Sequence, residues 1–300
     1  MREVRIPAYA KINLRLDVMG KRADGFHELR TIFQTISLHD DLRMSANSGG
    51  KIDLVISGNE TLSNEPAQKN LVYRAVVALA AELKTSTGVK IELRKVIPAG
   101  RGLGGGSSDA AAALLGYLRL TGKKIPTERL MELAATLGAD VPFFLFGGRA
   151  LGVNKGDEIY PLPDIAKRAL LVVSPKDIHV ATPDAYRWLD AAQLTKSAAG
   201  PKLWEFCALC WSAQGDSLSN DFEQAVFQRH GRLGEIKRVL LQKGAAGASL
   251  AGSGSAVFGV FPSPVMARRA AVAFPHESTF VCETISRQRY LRAVKGARVG

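Results

Sequence analysis

The sequence predicts an α+β protein of two domains. The chain has 300 residues, about twice the usual length of one domain. Segments that alternate apolar and polar residues, the pattern of half-buried strands, come first, and segments with helical periodicity follow them. A short, wholly apolar segment at 169–173 then opens a second half, so we place the domains at residues 1–155 and 156–300.

The composition limits the function classes. Apolar residues make up 46% and charged residues 23%, which is typical of a globular protein and excludes a disordered chain. We find no apolar run as long as a membrane span and no secretory signal at the start. The three cysteines fit a reducing compartment, and Cys207 and Cys210 lie in an apolar stretch that indicates packing. We expect a cytoplasmic protein with no membrane partner, as a monomer or homodimer.

The net charge of +12 suits either a nucleic-acid-binding protein or an enzyme that acts on polyphosphates. Apart from a mild cluster at 287–298, the basic residues are scattered, and they do not alternate with aromatic residues that would stack on bases. Charge alone does not choose between the two classes. We expect no nucleic-acid partner.

The first strand brings two polar side chains to one face. Residues 12–18 alternate, with the apolar side chains on one face. Lys11 and Asn13 project from the other, roughly 7 Å apart by strand rise, where they could contact one ligand. A plain solvated strand face is the alternative. The turn at 20–28 then sets Phe26 beside His27, which are candidates only by context because a histidine in a turn is most often a surface residue.

The elements that lead to the middle of the chain are three strands, a helix and a strand. We predict strands at 31–38, 42–44 and 51–57, the first two interrupted by Asp40 and Asp41. Asn70 is a helix N-cap candidate, and the helix ends at Gly88. In the strand 89–96 the odd positions face inward, and Lys95 continues that phase. A lysine there is better explained as facing a ligand than as part of the core.

Residues 98–109 form a glycine-dense loop between this strand and an alanine-leucine helix. Its glycines permit positive φ angles and a close approach of backbone to ligand. Ser107, Ser108 and Asp109 are all suitable N-cap residues for the helix. Free N–H groups and the helix dipole favour an anion, so the loop predicts a phosphate site.

Two other glycine-rich motifs are alternatives to this interpretation. Gly100, Gly102 and Gly105 match the dinucleotide fingerprint, but a second helix at 127–137 follows where that fold needs a parallel strand. No lysine follows the last glycine, so the P-loop pattern is absent. A glycine-rich connector without a ligand is the remaining alternative.

Asp140 stands ahead of a proline and five apolar residues, which is a poor place for a solvated charge. It follows the predicted helix 127–137, which Gly138 closes. Either Asp140 has a catalytic role or it caps a short helix with Pro142 in its first turn. The local sequence supports both alternatives equally.

The second half alternates strands and helices. Tyr186 lies on the first turn of a helix that begins near Pro183, and residues 192–202 are the predicted linker. The other predicted elements are a hairpin at 149–153 and 159–162, a strand at 169–173, helices from 203, from 220 and at 232–243, a small-residue loop that feeds a strand at 248–261, a helix at 264–273 and a strand at 279–284.

Three separated segments, 7–13, 98–109 and 250–256, resemble in that order the motifs of the GHMP kinases. Further matching motifs at 22–27, 138–142 and 182–183 extend the resemblance over nearly the whole chain. It implies a two-domain GHMP kinase fold. The N-terminal half would be similar to ribosomal S5 domain 2 and carry the ATP phosphate loop, and the C-terminal half would be similar to an α/β plait.

Within the family the motifs are most similar to those of members that act on a cytidine diphosphate compound. The resemblance implies ATP-dependent phosphorylation of the 2-hydroxyl of a small molecule with a cytidine diphosphate group, in the non-mevalonate isoprenoid precursor pathway. Asp140 corresponds to the catalytic carboxylate and Lys11 to the lysine beside it. The cytidine substrate is expected to contact Asn13, Phe26, His27, Asp140, Thr182 and Tyr186.

ATP and Mg²⁺ are the implied cofactors. The expected ATP-binding residues are Asn70, Lys95, Pro98, Gly100, Gly102, Leu103, Gly104, Gly105, Gly106, Ser107 and Ser108. Either serine could offer Mg²⁺ an oxygen, and the metal ligands stay open. Phe26 stands where the family commonly has tyrosine. A phenylalanine there keeps the stacking surface but lacks the phenol oxygen. The alternatives are a GHMP kinase for another small alcohol, of the homoserine or mevalonate type, and an S5-like nucleic-acid-binding module.

Overall fold

A computed structural model describes residues 3–85, 88–193 and 218–296, which form two β-sheets with helices packed on them. The strands are β1 (Glu3–Lys21), β2 (His27–Asn47), β3 (Ile52–Ser57), β4 (Gly88–Arg94), β5 (Arg149–Val153), β6 (Glu158–Pro161), β7 (Ala169–Ser174), β8 (Ser219–Asn220), β9 (Gly247–Leu250), β10 (Val257–Phe261) and β11 (Ser278–Glu283).

The helices are interspersed with these strands along the chain. They are α1 (Glu60–Asn64), α2 (Leu71–Glu82), α3 (Gly105–Thr121), α4 (Thr127–Leu137), α5 (Phe143–Phe146), α6 (Thr182–Gln193), α7 (Phe222–Arg229), α8 (Gly231–Gln242), α9 (Pro264–Ala271) and α10 (Arg287–Gly296), with a 3₁₀ turn at Ala67–Lys69. Within the described ranges, none of the helices combines the length and apolarity needed to cross a bilayer.

The first sheet has seven strands and is built on the long antiparallel pair β1 and β2. β2 runs unbroken through Asp40, which pairs with Ala8 of β1, so the predicted interruption at Asp40 and Asp41 was wrong. The strand tolerates the negative charge of Asp40 because its buried carboxylate forms an ion pair with the Lys95 ammonium. Asp41 forms an exposed ion pair with Arg94 on the neighbouring strand β4.

The first sheet also takes strands from beyond the predicted domain boundary. The predicted hairpin is confirmed as β5 and β6, which pair with each other, while β5 also pairs with β2. The boundary proposed between residues 155 and 156 lies in the loop of this hairpin, and β8 adds a short parallel pairing to β1. The N-terminal sheet is therefore completed by later parts of the chain.

Helices α2 and α3 pack on this sheet and bring the glycine-dense loop to its edge. Asn70 caps α2 as predicted, since its Oδ1 accepts a hydrogen bond from Val72 N at 2.9 Å, although the helix ends at Glu82 and not at Gly88. The run of small residues at the start of α3 is buried, which lets the helix lie close to the strands. The predicted serine or aspartate cap of α3 was wrong, because the helix begins at Gly105 and Gly104 is its N-cap.

The second sheet has four antiparallel strands in the order β11, β7, β10, β9. β7 is buried throughout, as the wholly apolar segment predicted. Helices α7, α8 and α9 contribute side chains to the core beneath it. Beyond its first two positions, which end α6, the predicted linker at 192–202 lies outside the described residues, as do the helix predicted from 203 and the Cys207 and Cys210 pair.

Candidate active site

A cleft of about 950 Å³ lies where β1, the glycine-dense loop and α6 meet. It brings together residues that are far apart in the sequence. The predicted site residues that line it are Lys11, Asn13, Phe26, His27, Asn70, Lys95, Pro98, Gly100, Gly102, Leu103, Gly104, Gly105, Gly106, Ser107, Asp140, Thr182 and Tyr186. Ser108 is the exception, because its side chain turns into the core and it is 2% exposed.

The glycine-dense loop is compressed between two other parts of the chain. Gly102 has a φ of +78°, and a Cβ there would lie 1.8 Å from the carbonyl oxygen of Ala251. Gly104 has a φ of +71°, and its Cβ would lie 2.8 Å from the ring of Phe144. Glycine is needed at both positions because the backbone conformation and the space exclude a side chain. The loop at 251–256, which the sequence singled out separately, therefore forms one wall of the first loop.

Arg101 fastens these two loops together. Its guanidinium Nη1 donates to Ser255 Oγ at 2.8 Å, and Ser255 Oγ donates to the carbonyl of Ile178 at 2.7 Å. The Arg101 carbonyl accepts a hydrogen bond from Ala256 N at 3.2 Å. The loop leads directly into α3, whose first-turn N–H groups lack acceptors within the helix. The loop and helix end thus present backbone N–H groups of the kind that can bind an anion.

Lys11 and Asp140 form an ion pair beside the loop. Lys11 Nζ lies 3.3 Å from Asp140 Oδ2 and donates to Asn13 Oδ1 at 2.8 Å. The Lys11 side chain is 5% exposed and that of Asp140 is 33% exposed, so the carboxylate faces the cleft while the ammonium lies beneath it. The Lys11 backbone N–H also donates to Leu103 O at 2.9 Å, which ties β1 to the loop.

The structure does not support the alternative role of Asp140 as a helix cap. The short helix α5 has Pro142 as its N-cap and no capping hydrogen bond from a side chain. Instead, the backbone around Asp140 is held by a turn in which Val141 N donates to Gly138 O at 3.0 Å. Within α5, the Phe144 carbonyl accepts a hydrogen bond from the Tyr290 hydroxyl, so α10 holds this segment in place.

The other end of the cleft is aromatic. The rings of His27 and Tyr186 stack with centroids 4.5 Å apart and an interplanar angle of 21°, and Tyr186 meets Phe222 edge to face. Burial raises the pKa of Tyr186, and the charge of Asp140 adds to the effect, so the hydroxyl stays protonated at neutral pH. His27 Nε2 lies 2.7 Å from Asp190 Oδ1.

Phe26 occupies the mouth of the cleft. It is 59% exposed, and the Lys155 ammonium lies 5.1 Å from its ring centroid. We expected the cytidine substrate to contact both Phe26 and Tyr186. In the structure the partner stacked on Tyr186 is His27, and Phe26 stands apart at the entrance.

Lys95 has two carboxylate partners that the sequence analysis missed. Its Nζ donates to Asp109 Oδ2 at 2.5 Å and to Asp40 Oδ2, and all three side chains are buried. Burial opposes the charge of Lys95, but Asp109 and Asp40 outweigh it and raise its pKa. Lys95 borders the cleft from this buried cluster and is not a free ammonium pointing at a ligand. The signal in the sequence was Asp40, a charge inside an otherwise regular strand.

Comparisons with known proteins identify the family. The N terminal domain of the GHMP kinases matches residues 70–148, and their C terminal domain matches residues 203–277. The chain belongs to the GHMP kinase family. Within this family it is 42% identical to the 4-diphosphocytidyl-2-C-methyl-D-erythritol kinase of Solibacter usitatus, across 96% of this chain and 91% of the relative. It is 40% identical to the kinase of the same name from Geobacter sulfurreducens, across 93% and 98%.

Solved structures of GHMP kinases agree with this placement. A crystal structure of 4-(cytidine 5'-diphospho)-2C-methyl-D-erythritol kinase superimposes with a TM-score of 0.78 at 35% identity, covering 93% of this chain and 98% of that one. Homoserine kinase from Cytophaga hutchinsonii gives a TM-score of 0.68 at 20% identity with 96% of each chain covered, which shows the common fold. The chain is thus an ATP-dependent kinase with the predicted two-domain α+β GHMP fold.

Several residues of this kinase line the cleft without having been predicted. They include Lys21, Lys69, Arg101, Asp109, Lys155, Arg187, Asp190 and Phe222. Asp190 follows Tyr186 by four residues on α6, a spacing that places two side chains on the same helix face. That spacing is the signal in the sequence that links Asp190 to the site.

Proposed function

We propose that this kinase transfers the γ-phosphoryl group of ATP to the 2-hydroxyl of 4-diphosphocytidyl-2-C-methyl-D-erythritol. The observation that carries the proposal is the position of the Lys11 and Asp140 pair, between the glycine-dense loop and the stacked rings of His27 and Tyr186. The names of the relatives supply the substrate. Along this one cleft, the loop proposed for phosphate comes first, the Lys11 and Asp140 ion pair follows it, and the aromatic end comes last. A transfer from ATP to a cytidine compound needs this order.

Asp140 is proposed as the group that orients the acceptor hydroxyl and accepts its proton. A carboxylate within hydrogen-bonding reach of an alcohol can do both as bonding to phosphorus develops. Lys11 lies 3.3 Å from that carboxylate, and its positive charge would balance negative charge that develops on the phosphoryl oxygens. Asn13 holds the ammonium in place, and Thr31 Oγ1 accepts from Asn13 Nδ2 at 2.7 Å.

The glycine-dense loop and the start of α3 are proposed to hold the phosphates of ATP. First-turn N–H groups and the helix dipole stabilise negative charge without any change in protein structure during the reaction. Phosphoryl transfer depends mainly on alignment and charge neutralisation, so a loop that is closely packed at Gly102 and Gly104 and held by Arg101 suits it. Asn70 and Lys95 border the same part of the cleft and are proposed near the adenosine.

The residues beside the loop fit the Mg²⁺ that we expect to accompany ATP. Mg²⁺ prefers oxygen ligands and keeps most of them from water and phosphate, so it needs few from the protein. Ser107 lines the cleft and Ser108 is buried, so the Ser107 hydroxyl is the serine oxygen we propose for it. When bound, the ion would neutralise phosphate charge.

The aromatic end of the cleft is proposed to hold the cytidine group. Tyr186 and His27 offer flat surfaces and a polar ring edge, while Phe26 and Lys155 stand at the entrance, where a diphosphate would pass a positive charge. Thr182, whose hydroxyl lies 3.0 Å from Ser253 Oγ, borders the path between the two ends.

The test is ADP release from MgATP by the purified protein. Turnover should depend on 4-diphosphocytidyl-2-C-methyl-D-erythritol, and homoserine and mevalonate should leave ADP release at its background rate. Stimulation by either control compound instead would keep the kinase fold and discard the proposed acceptor.

A further inference from the structure

His27 is held on two sides by one helix. Tyr186 covers the face of its imidazole ring, and Asp190 Oδ1 lies 2.7 Å from its Nε2. Both partners project from the same side of α6, because they are four residues apart. His27 as a whole residue is 9% exposed, so the orientation of its ring is fixed by these neighbours and not by solvent.

The contact with Asp190 also selects which ring nitrogen of His27 carries the proton. An ionised carboxylate can only accept hydrogen bonds, so the neutral ring carries its proton on Nε2 and keeps a lone pair on Nδ1. Among the residues that the structure describes, Nδ1 has no hydrogen-bonding partner, while the residue borders the cleft. The protein therefore leaves one fixed acceptor atom for a ligand at the aromatic end.

We propose that Asp190 determines which base the cleft accepts, by holding His27 in the tautomer whose Nδ1 accepts a hydrogen bond from the exocyclic amino group of cytosine. Uracil carries a carbonyl oxygen at the same position, and the lone pairs of that oxygen would repel the lone pair of Nδ1. Asp190 acts through His27 and is a positioning residue. This inference rests on the cytidine pocket proposed above and adds the source of its selectivity.

A fixed acceptor atom discriminates strongly between cytosine and uracil when the site excludes water. A site built to make a hydrogen bond rejects an analogue that cannot complete it, because a buried polar atom stays unpaired. His27 is nearly buried, so water replaces the missing donor poorly. We expect cytidine 5′-diphosphate to bind at least about tenfold more tightly than uridine 5′-diphosphate.

The test compares the two nucleotides by calorimetry at pH 8.5 in four proteins: the wild type, Asp190→Asn, Asp190→Ala and Glu235→Gln. In Asp190→Asn the side-chain amide can donate to Nε2 and so stabilise the opposite tautomer, and the cytidine preference should vanish or reverse. Asp190→Ala should weaken it. Glu235 is an exposed acid on α8, paired with Arg238, and its variant should keep the wild-type ratio.

A second measurement reads the tautomer directly. Nitrogen-15 NMR of the His27 ring should show the proton on Nε2 in the wild type and a shift toward Nδ1 in Asp190→Asn, which a merely structural role would not produce. An unchanged nucleotide ratio in both Asp190 variants would overturn the role of Asp190 alone. Failure of the wild type to bind cytidine 5′-diphosphate would overturn the cytidine pocket, and the inference with it.

Discussion

Lys11 Nζ and Asp140 Oδ2 lie 3.3 Å apart, although 128 positions of sequence separate the two residues. The distance depends on β1 and on the segment between α4 and α5, which meet at the glycine-dense loop. The pair is asymmetric, since the lysine is buried and the carboxylate is partly open to the cleft. This arrangement leads to the first prediction.

Asp140→Asn should lower kcat by about 100-fold or more, because the amide cannot accept a proton from the acceptor alcohol. The affinity for ATP and the midpoint of thermal unfolding should stay close to the wild-type values, since asparagine keeps the size of the side chain. Steady-state kinetics measures the first effect. Asp53→Asn is the matched control, because this carboxylate is exposed on β3 outside the cleft. Near-normal turnover of Asp140→Asn would contradict the proposed role.

Gly102→Ala should raise the KM for ATP by about tenfold or more and reduce stability. The new Cβ would lie 1.8 Å from the Ala251 carbonyl oxygen, so the loop at 98–106 must move. Gly122→Ala separates this effect from backbone strain, because Gly122 has a φ of +68° and nothing within 4 Å of its Cβ. Equal KM values for the two variants would show that the contact with Ala251 does not shape the phosphate site.

Asp109 should make the stability of the kinase depend on pH. Burial raises the pKa of Asp109 to about 7, with Lys95 opposing the rise and Asp40 adding to it. A raised pKa in the folded state means that the folded protein binds the extra proton, so this group's contribution is full below about pH 4 and is lost as pH rises toward 7.

The variant Asp109→Asn removes that titration and keeps the shape of the side chain. Between pH 5 and pH 8 the midpoint of thermal unfolding should fall in the wild type and fall less in Asp109→Asn. The two falls should differ by a few degrees. Asp17→Asn is the control, since Asp17 is a largely buried carboxylate paired with Arg15 outside the cluster. Parallel stability curves for the wild type and Asp109→Asn would mean that Asp109 does not hold the proton.

Tyr290→Phe should destabilise the kinase by about 1–3 kcal/mol, because it leaves the buried Phe144 carbonyl without its donor. Thermal or urea unfolding measures the loss. The comparison is Tyr160→Phe, which removes a hydroxyl from a side chain that is 53% exposed and should change stability by less than about 0.5 kcal/mol. A loss no larger than that of Tyr160→Phe would show that the hydrogen bond from α10 does not stabilise α5.

Local patterns in the sequence predicted much of the fold. The period of the apolar residues found β1, α2, β4 and α4, a wholly apolar run found β7, and the N-cap chemistry of Asn70 was confirmed. Boundaries were weaker where a local rule competed with a distant partner. Asp40 resembled a strand break because its counterion, Lys95, lies 55 residues further along the chain. Ser107 and Ser108, at the end of the glycine-dense loop, resembled caps because the left-handed conformation of Gly104 is not visible in the sequence.

The sequence by itself determined the order of the motifs, the family to which they belong and the chemical types of the site residues. Those properties follow from residue identity and from periodicity along the chain. The family motifs already placed Lys11 beside Asp140, and the structure added the distance and burial of that pair. Only the tertiary structure decided the other partners: Lys95 with two buried carboxylates, and His27 with Asp190. Such pairings depend on which faces of distant strands and helices pack together, and burial then sets how strongly each pair interacts.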